Sequence, residues 1–373
     1  MPPIRVLQIM PAMDTGGMET FVMNIYRAID KSRVQFDFLY HYDKPCFYDE
    51  EIRSLGGQIT KLTIRQDNNL PKYLYDLHRF FSSHPEYQII HGHYSGFGMF
   101  YNAEARRCGV PVRVGHSHNT AYEHNLVGTL DRLMSSQFNR GLTHRFACSR
   151  KAGEMLFGHS PFTVLPNGIN TDLFAKRDPE DRRALRAELG VLPSETLFGH
   201  VGRFTEQKNH AGLLEIFRSV RLRMPSARLV LCGGGALEAE IRALADKMGL
   251  GDSVIFAGVR GEMYRYYRAM DAFLLPSLFE GMPVVLIEAQ AAGLPCFVSD
   301  TVDRGAAFAR NVHFLPLGDP SLWAHVIARS NLKRDPNAQA MARAAGFDVR
   351  TSARKLQKFY LEQSFRYGKA VKG

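Results

Sequence analysis

The sequence predicts an α/β protein made of two doubly wound domains, and three features of the chain carry this prediction. Short β-rich runs alternate with helical stretches along the whole chain, which is typical of parallel sheets covered by helices on both faces. A length of 373 residues exceeds what one hydrophobic core usually serves. A turn at Pro166–Gly168 and the polar stretch Asp178–Leu189 separate two such alternating halves. We therefore expect one domain over residues 1–166 and a second over 167–351.

Each half contributes its own set of predicted elements. In the first half, the predicted strands are Arg5–Met10, Gln35–Tyr40, Gln58–Leu62, Gln88–His91, Val112–His116 and His144–Cys148. Helical patterns between them include Met18–Ile29, Leu70–Phe81, Gly98–Cys108 and Leu126–Asn139. In the second half, the predicted strands are Thr196–Val201, Arg228–Leu231, Ser253–Ala257, Ala272–Leu275, Cys296–Ser299 and His313–Leu315, with helices such as Ala211–Arg223 and Leu237–Met248 between them. A last helix is predicted over Ser352–Ser364, beyond the second sheet.

Composition excludes several classes of protein. Hydrophobic residues make up 45% and charged residues 23% of the chain, as in ordinary globular proteins. The net charge of +10 is spread out and accompanies no nucleic-acid-binding motif, so we expect no nucleic acid partner. A polyanionic substrate or an anionic membrane surface explains a basic chain equally well. Five scattered cysteines, the lack of a membrane-length apolar run and the lack of a signal-peptide pattern favour a cytoplasmic protein.

The most informative segment follows the predicted strand that ends at Leu275. It contains a turn carrying Glu280 and a helix that opens near Pro283, carries Glu288 and stops at Gly293. A loop that leads into a helix N-terminus at the carboxyl edge of a parallel sheet is where α/β proteins bind phosphorylated ligands. An acidic residue in such a loop indicates that the ligand also offers hydroxyl groups.

The pattern Glu280-x7-Glu288, with Gly281 and Pro283 after the first glutamate, resembles the signature of retaining GT-B glycosyltransferases of family 4. The resemblance extends over nearly the whole chain. It implies two Rossmann-like domains facing across a cleft, with a last helix (about residues 352–373) that returns to the first domain. It also implies that a nucleotide-diphosphate sugar, expected to be UDP-linked, binds the second domain while the acceptor binds the first. No cofactor is expected, because the nucleotide sugar is a substrate.

The same resemblance implies roles for the residues around the two glutamates. Glu288 accepts hydrogen bonds from the ribose hydroxyls of the donor. Glu280 positions the transferred sugar and stabilises charge rather than acting as a base. The loop of Gly281, Met282, Pro283 and Val284 borders the same sugar and holds it through the backbone N–H groups of its non-proline residues.

Two cations follow the first strand of the second half. Gly202 allows the chain to turn after Thr196–Val201, and Arg203 and Lys208 lie in the loop beyond it. Negative charge grows on a diphosphate leaving group as the glycosyl bond breaks, so cations there stabilise the transition state more than the ground state. In the resembled family, the matching positions clamp the donor diphosphate.

Three glycine-rich turns follow other predicted strands. The turn at Gly233 departs from the dinucleotide pattern G-x-G-x-x-G, so it gives little support for an NAD-dependent oxidoreductase. The resemblance places Gly233 beside the nucleotide and assigns recognition of the base to the backbone near Val259. A tight turn that requires glycine explains these two turns equally well. The pair Gly16 and Gly17 resembles the family's first glycine-rich loop, which approaches the transferred sugar and phosphate.

Two pairs of histidines end strands of the first half. His116 and His118 are two residues apart, so they share one face if the strand continues that far, and His91 and His93 repeat the spacing. No neighbouring carboxylate or cysteine completes a metal site, so we expect none. These side chains are either structural or on the acceptor side with Asn119. The resembled family carries a functional histidine at the matching strand end, which the spacing leaves open between His116 and His118, with His118 preferred.

Catalysis is expected to proceed without a metal. No Asp-x-Asp sequence is present to hold a cation on the diphosphate, so its charge would be met by Arg203 and Lys208. The acceptor is expected to be a glycan or lipid-linked chain in surface polysaccharide biosynthesis, because the sequence resembles bacterial capsule and exopolysaccharide enzymes. Peripheral contact with the inner membrane would fit the apolar face of Leu126–Arg140, although core packing explains that face too. The rival functions are a nucleotide-sugar 2-epimerase and an inactive sugar-nucleotide-binding subunit.

Overall fold

The computed structural model describes residues 2–64, 69–93, 96–118, 135 and 137–368. The chain forms two compact units, one made of Met1–Gly168 with Val349–Gly373 and the other of Ile169–Asp348. Each unit is built on a parallel sheet with helices between successive strands. The predicted fold class of two Rossmann-like doubly wound domains is therefore confirmed.

The sheet of the first unit has its strands in the order β3-β2-β1-β4-β5-β6-β7, all of them parallel. The strands are β1 (Ile4–Met10), β2 (Val34–Tyr40), β3 (Ile59–Lys61), β4 (Ile89–Gly92), β5 (Val112–Ser117), β6 (His144–Ala147) and β7 (Thr163–Val164). The strand order reverses between β1 and β4. The carboxyl ends of these two strands therefore border the crevice in which doubly wound sheets bind ligands.

Helices of the first unit include the last helix of the chain. Those described are Gly17–Ala28, Asp49–Ser54, Leu70–Ser83, Gly98–Arg107, Arg150–Phe157 and Val349–Gly368. Val349–Gly368 buries Leu356 and Tyr360 in the same core as Phe36, with the rings of Tyr360 and Phe36 6.0 Å apart. The C-terminal helix is thus part of the first unit.

The sheet of the second unit has the order β10-β9-β8-β11-β12-β13, again all parallel. Its strands are β8 (Thr196–Val201), β9 (Ala227–Cys232), β10 (Val254–Gly258), β11 (Ala272–Leu275), β12 (Cys296–Ser299) and β13 (Val312–Leu315). Its helices are Thr171–Ala175, Pro179–Glu188, His210–Arg223, Glu238–Lys247, Met263–Ala269, Val284–Ala291, Pro320–Arg329 and Ala338–Ala344, with 3-10 turns at Glu206–Lys208, Gly251–Ser253 and Arg304–Ala306. The strand order of this sheet reverses between β8 and β11.

One ionic cluster ties β8 to β11 at their amino ends. The carboxylate of Asp271 accepts hydrogen bonds from Arg182 at 2.7 Å, from Arg186 at 3.1 Å and from the backbone amide of Leu197 at 2.8 Å. The two guanidinium groups neutralise the charge of the Asp271 carboxylate at the point where β8 and β11 begin. The opposite, carboxyl ends of the same two strands carry the loops described below.

One short strand was missed by the sequence analysis, and one predicted helix falls mostly outside the described residues. Strand β7 was not predicted, because its two residues are exposed and too few to show an alternating pattern. The helix predicted over Leu126–Asn139, and with it the membrane-facing surface predicted for Leu126–Arg140, lies outside the described residues except for 135 and 137–140. Within the described ranges, every helix is too short or too polar to cross a membrane.

Candidate functional site

Two loops meet at the point where the strand order of the second sheet reverses. One follows β8 and contains Gln207 and Asn209, and the other follows β11 and begins at Pro276. The amide of Leu278 donates to the carbonyl of Gln207 at 2.8 Å, and Asn209 Nδ2 donates to the carbonyl of Pro276 at 3.0 Å. Parallel strands send both loops out of the same edge of the sheet, which is where α/β proteins bind ligands.

At this junction, Lys208 and Glu280 form an ion pair. Lys208 Nζ donates to Glu280 Oε1 at 2.5 Å, and Ser277 Oγ donates to the same oxygen at 2.7 Å. Gln207 Nε2 reaches Glu280 Oε2 at 3.5 Å. The carboxylate is buried, and a buried charge is costly unless it is paired and hydrogen-bonded. These partners therefore fix the orientation of Glu280.

Arg203 lies in the same loop as Lys208 but has a different environment. Its side chain is exposed, and its guanidinium makes no hydrogen bond or ion pair with another residue in the described part of the chain. Its neighbour Gly202 has little room for a side chain, since a Cβ there would lie 3.0 Å from Lys208 Cδ and 3.1 Å from His200 Nε2. The glycine thus lets the aliphatic stem of Lys208 pass close to the backbone on its way to Glu280.

The glycine-rich turn after β9 packs against the loop that carries Arg203. Gly233 has φ +147°, and a Cβ on it would collide with the carbonyl oxygen of Gly202. The amide of Phe204 donates to the carbonyl of Gly234 at 3.1 Å. A tight turn in close backbone contact is therefore a sufficient reason for glycine here, and the predicted place of Gly233 beside a nucleotide stays a prediction.

Val259 follows β10 at the same edge of the sheet. Its side chain is 47% exposed, and its Cγ2 lies 3.2 Å from where a Cβ on Gly234 would be. Four neighbouring strands, β10, β9, β8 and β11, therefore bring the predicted donor residues of the second unit to one edge.

The helix after the Glu280 loop begins at Val284, with Pro283 as its N-cap residue at φ −70°. The amides of Gly281 and Val284 donate to no other residue within the described ranges. Amides of a first helical turn have no partner inside the helix, and the helix dipole favours an anion beside them. Met282 is partly buried against the core of this unit. The loop thus offers backbone donors next to the Glu280 carboxylate.

Glu288 lies on that helix and is buried. Tyr267 donates its hydroxyl to Glu288 Oε2 at 3.0 Å, while Oε1 has no hydrogen-bond partner among the described residues. Burial raises the pKa of Glu288 to about 7, although the bond from Tyr267 opposes the rise. The side chain can therefore accept hydrogen bonds from a ligand on one oxygen, and more strongly once it is ionised.

In the first unit, Gly16 and Gly17 follow β1 at the corresponding switch point. Gly16 is the N-cap residue of helix Gly17–Ala28, and the carboxylate of Glu19 folds back over it, where a Cβ on Gly16 would collide with Glu19 Oε2. A carboxylate in the first helical turn is favourable beside the positive end of the helix dipole.

The four histidines at the ends of β4 and β5 form one cluster of two hydrogen-bonded pairs. His91 Nε2 lies 3.2 Å from His116 Nδ1, and His93 Nδ1 lies 2.9 Å from His118 Nε2. The pairs stack on each other, with ring centroids 4.4 Å apart for His91 and His93 and 4.3 Å apart for His116 and His118. His116 and His118 thus share a face, as the spacing predicted. Asn119 lies outside the described residues.

Burial sets the protonation state of this cluster. It lowers the pKa of all four rings, to about 3 for His91 and His118 and well below the usual value for His93 and His116. Neighbouring imidazoles lower the values further for His91, His93 and His116, because each would repel a second charge. The four rings are therefore neutral at physiological pH.

The cluster resembles a metal centre in composition but not in geometry. One ring nitrogen from each of His91, His93 and His116 lies within 4.8 Å of the others. An imidazole binds a metal through the lone pair in its ring plane, whereas the rings of His91 and His93 are stacked with only 19° between their planes. Stacked rings cannot both direct a lone pair at one ion without turning, so the arrangement does not fit a bound metal.

Several contributing residues were not predicted from the sequence. Ser277 and Gln207 hold the Glu280 carboxylate, and no sequence pattern marks them. Asn209 was detectable, since asparagine before a helical run is a strong N-cap signal, and it caps helix His210–Arg223 with its side chain accepting from Gly212. Its left-handed backbone, at φ 52°, turns the chain between Lys208 and that helix.

Comparison with known proteins identifies related families and folds. The profile of the family described as Glycosyltransferase Family 4 matches residues 15–173, and that of Glycosyl transferases group 1 matches residues 181–312. Both matched segments include predicted site residues, Gly16 to His118 in the first and Arg203 to Glu288 in the second.

Individual relatives agree with these profiles. The putative glycosyltransferase EpsF of Bacillus subtilis is 37% identical over 95% of this chain and 96% of its own length. An Escherichia coli enzyme named UDP-Gal:alpha-D-GlcNAc-diphosphoundecaprenol alpha-1,3-galactosyltransferase is 29% identical over 58% of each chain. Among solved structures, HepE of Anabaena in complex with UDP and glucose superimposes with a TM-score of 0.80 at 18% identity, over 96% of this chain and 100% of HepE.

Proposed function

Because this chain belongs to glycosyltransferase family 4 and has the GT-B fold of two Rossmann-like domains, we propose that it moves a sugar from a UDP-sugar to a glycan or lipid-linked acceptor, with retention at the anomeric carbon. The proposed setting is surface polysaccharide biosynthesis. The observation that carries the proposal is the Lys208–Glu280 pair at the switch point of the second sheet, beside Arg203, whose guanidinium has no partner among the residues that the structure describes. The Escherichia coli relative, whose name specifies a UDP-sugar and a diphosphoundecaprenol acceptor, supports both the nucleotide and the lipid-linked class of acceptor.

The diphosphate of the donor is proposed to lie between Arg203 and Lys208. Arg203 presents an exposed guanidinium, whose planar fork suits phosphate oxygens. Lys208 has three N–H donors, so it can keep its bond to Glu280 while another N–H reaches a phosphate. The amides of Gly281 and Val284 add neutral donors at the start of the following helix.

The nucleoside is proposed to lie towards Glu288 and Val259. Oε1 of Glu288, which has no partner within the described ranges, accepts hydrogen bonds from the ribose hydroxyls, and the backbone beside Val259 and Gly233 borders the base. These positions follow the order of strand ends along the sheet edge, from β11 through β8 and β9 to β10. Such a row of loops is long enough to bind a diphosphate and a nucleoside side by side.

In the proposed reaction, the bond between the anomeric carbon and the β-phosphate oxygen breaks as the acceptor oxygen bonds to that carbon from the same face. The proton of the acceptor hydroxyl passes to the leaving phosphate oxygen. Arg203 and Lys208 meet the charge that grows on the diphosphate. Glu280, held by Lys208 and Ser277, positions the transferred sugar through its hydroxyls and faces the positive charge that develops on the ring.

No metal ion is needed in this scheme. The residues around Glu280 offer two cations and a helix N-terminus, which meet the diphosphate charge directly. A lipid-linked acceptor would bring the enzyme to the inner face of a membrane as a peripheral protein. His118, with His116 behind it, is proposed to contact a substrate hydroxyl in the first unit.

A ligand screen followed by a transfer assay tests the proposal. UDP, UDP-sugars, GDP-mannose and ADP-glucose are added to the full chain, and a ligand at 100 times its Kd should stabilise it by about 2.7 kcal/mol. We expect stabilisation by the UDP series in the wild type and in Lys247→Ala, an exposed lysine on helix Glu238–Lys247, and weaker stabilisation in Lys208→Ala.

The best donor is then incubated with and without lipid-linked glycan acceptors. Sugar transfer only in the presence of an acceptor supports a glycosyltransferase. Conversion of the donor to an epimer without an acceptor would instead identify the 2-epimerase, and binding without turnover would identify an inactive subunit.

A further inference from the structure

The four-histidine cluster continues into a buried glutamine of the central strand. His93 Nε2 lies 2.9 Å from Gln8 Oε1 on β1, and both side chains are buried. His93 Nδ1 in turn lies 2.9 Å from His118 Nε2. Gln8, His93 and His118 therefore form a hydrogen-bonded chain that crosses from β1, past the end of β4, to the end of β5.

The topology of the first sheet makes this chain possible. Strands β1, β4 and β5 are consecutive neighbours, with Gln8 opposite His91 in the register of β1 and β4. The amide of His93 continues that ladder by donating to the carbonyl of Ile9 at 3.0 Å. Side chains two residues apart on such strands point to the same face, so successive polar side chains meet in a row.

The direction of each hydrogen bond follows from the chemistry of its groups. An amide oxygen only accepts, so His93 Nε2 carries the proton and donates to Gln8 Oε1. A neutral imidazole has one N–H, so His93 Nδ1 is an acceptor and His118 Nε2 must donate to it. The remaining nitrogen of His118, Nδ1, then carries a lone pair and no proton. The buried oxygen of Gln8 thus sets the tautomer of a histidine that it does not touch.

Two observations indicate that His118 is the end of the chain that faces a ligand. His118 is partly exposed, whereas His91, His93 and His116 are buried. His118 Nδ1 is itself buried and has no hydrogen-bond partner in the described part of the chain, which is also true of Nε2 of the fully buried His116. The ring of Phe21 lies 5.5 Å from that of His118, and the ring of His116 stacks on His118 at 4.3 Å. The ring is therefore held in place with an acceptor nitrogen unused.

We propose that Gln8 and His93 are positioning residues that hold His118 as the neutral Nε2–H tautomer, so that His118 Nδ1 accepts a hydrogen bond from a substrate hydroxyl. The identity of that hydroxyl as one of a sugar or glycan rests on the proposed function. The tautomer itself does not, because it is a property of the unliganded protein. In this role His118 neither gives nor takes a proton, and it selects a ligand that offers a hydroxyl over one that offers only acceptor oxygens at this point.

The first test is the tautomer of His118 by long-range proton–nitrogen NMR on the full chain labelled with ¹⁵N-histidine, with the His118 signals assigned from a His118→Gln sample. We expect a protonated Nε2 and an unprotonated Nδ1, unchanged between pH 6 and 8. A wild-type spectrum with the proton on Nδ1, or with a titrating ring, would overturn the proposal without any variant of the chain.

The second test is Gln8→Met, which keeps the length of the side chain but removes the accepting oxygen. His118 should then populate both tautomers, and kcat for sugar transfer should fall about tenfold while the affinity for UDP stays within about twofold. Gln8→Glu restores an accepting oxygen and should recover the Nε2–H signal. Gln35→Met is the matched control, since Gln35 is buried in the same unit but bonds to Tyr26 at 2.8 Å.

The two readouts separate the proposal from the proposed function. If the wild type transfers no sugar, the proposed function is wrong. The NMR spectrum still tests the tautomer of His118, because that measurement needs no substrate. If transfer occurs but the folded Gln8→Met protein keeps both the Nε2–H signal and the full kcat, Gln8 and His93 do not position His118.

Discussion

Lys208 Nζ lies 2.5 Å from Glu280 Oε1, so the lysine proposed to hold the donor diphosphate is already paired with a carboxylate on the neighbouring loop. The two residues are joined across the switch point of the second sheet, where β8 and β11 end side by side. Pairing keeps the ammonium in place before a donor arrives, which lowers the reorganisation needed in the transition state. In the proposed complex, the donor and Glu280 would share this one cation.

Replacing Lys208 with alanine should lower kcat for sugar transfer by about 100-fold or more, with a smaller change in the KM of the donor. The reason is that the charge Lys208 meets is largest in the transition state. Arg203→Ala should weaken donor binding more than Lys208→Ala does, because Arg203 is unpaired within the described residues before the donor binds. Steady-state kinetics over a range of donor concentrations measures both effects.

Lys247→Ala and Arg223→Ala are the controls for these variants, since both residues are exposed on helices of the same unit. Lys208→Ala also leaves Glu280 buried without its cation, so its melting temperature must be measured. Adding Glu280→Gln should restore stability but not turnover. Full kcat in both Lys208→Ala and Arg203→Ala would remove the diphosphate clamp from the mechanism.

Glu280→Gln should separate binding from catalysis. Removing the negative charge leaves Lys208 entirely available to the diphosphate, so the affinity for UDP should rise by several-fold, on the order of 1 kcal/mol. The transferred sugar loses a charged partner, so kcat should fall by about 100-fold. Calorimetric titration with UDP and a transfer assay give the two numbers. A loss of UDP affinity in Glu280→Gln would show that Glu280 does not compete with the diphosphate for Lys208. Glu240→Gln, which alters an exposed glutamate of the same unit, is the control.

Donor affinity should depend on the ionisation of Glu288. Burial raises the pKa of this carboxyl to about 7, and its ionised form is the better acceptor for ribose hydroxyls. The affinity for a UDP-sugar, whose diphosphate does not titrate near neutrality, should therefore rise about tenfold between pH 6 and pH 8. Glu288→Gln should flatten this dependence. An equally steep pH profile in Glu288→Gln would assign the titration to another group.

The contribution of Glu288 to the free energy of unfolding should fall as the pH rises, whereas the affinity for the donor should increase. A raised pKa means that the folded state binds the proton of Glu288 more tightly than the unfolded state does. Its contribution to the free energy of unfolding is full below about pH 4.5 and is lost as the pH rises through about 7. The free energy of unfolding of the wild type, relative to that of Glu288→Gln, should therefore decrease by about 3 kcal/mol over that pH range. Urea unfolding at several pH values measures this difference.

Chelation should leave catalysis intact. Arg203, Lys208 and the helix that begins at Val284 are proposed to meet the charge of the diphosphate, so EDTA should change the rate of sugar transfer by no more than about twofold. Loss of activity with EDTA, restored by Mn²⁺ alone, would place the diphosphate on a metal instead. The same assay with added NaCl controls for the ionic strength that EDTA contributes.

The sequence was sufficient for the central strands but not for the contacts between loops. The bounds of β8, β11 and β12 are those predicted, because each is a buried apolar run between clear turn signals. The pair Lys208 and Glu280 could not be derived from spacing, since it depends on β8 and β11 being neighbours. Only the resemblance to a known family suggested that the two loops act together.

The histidines illustrate the same limit. Spacing of two residues predicted that His116 and His118 share a face, and likewise His91 and His93. That the two pairs meet depends on β4 and β5 lying side by side, and the contact with Gln8 depends on β1 lying on the other side of β4. Sequence periodicity shows which side chains of one strand share a face, but not which strands are neighbours. Contacts between residues far apart in sequence therefore follow only from the strand order of the sheet.

The most direct test of the central claim is the anomeric configuration of the product, determined by NMR after reaction of a UDP-α-sugar with a lipid-linked or oligosaccharide acceptor. The proposed mechanism predicts an α-linked product, formed only when acceptor is present and lost in Lys208→Ala but not in Lys247→Ala. A β-linked product would contradict same-face attack with the leaving phosphate as the proton acceptor. A free epimer formed without any acceptor would contradict glycosyl transfer itself.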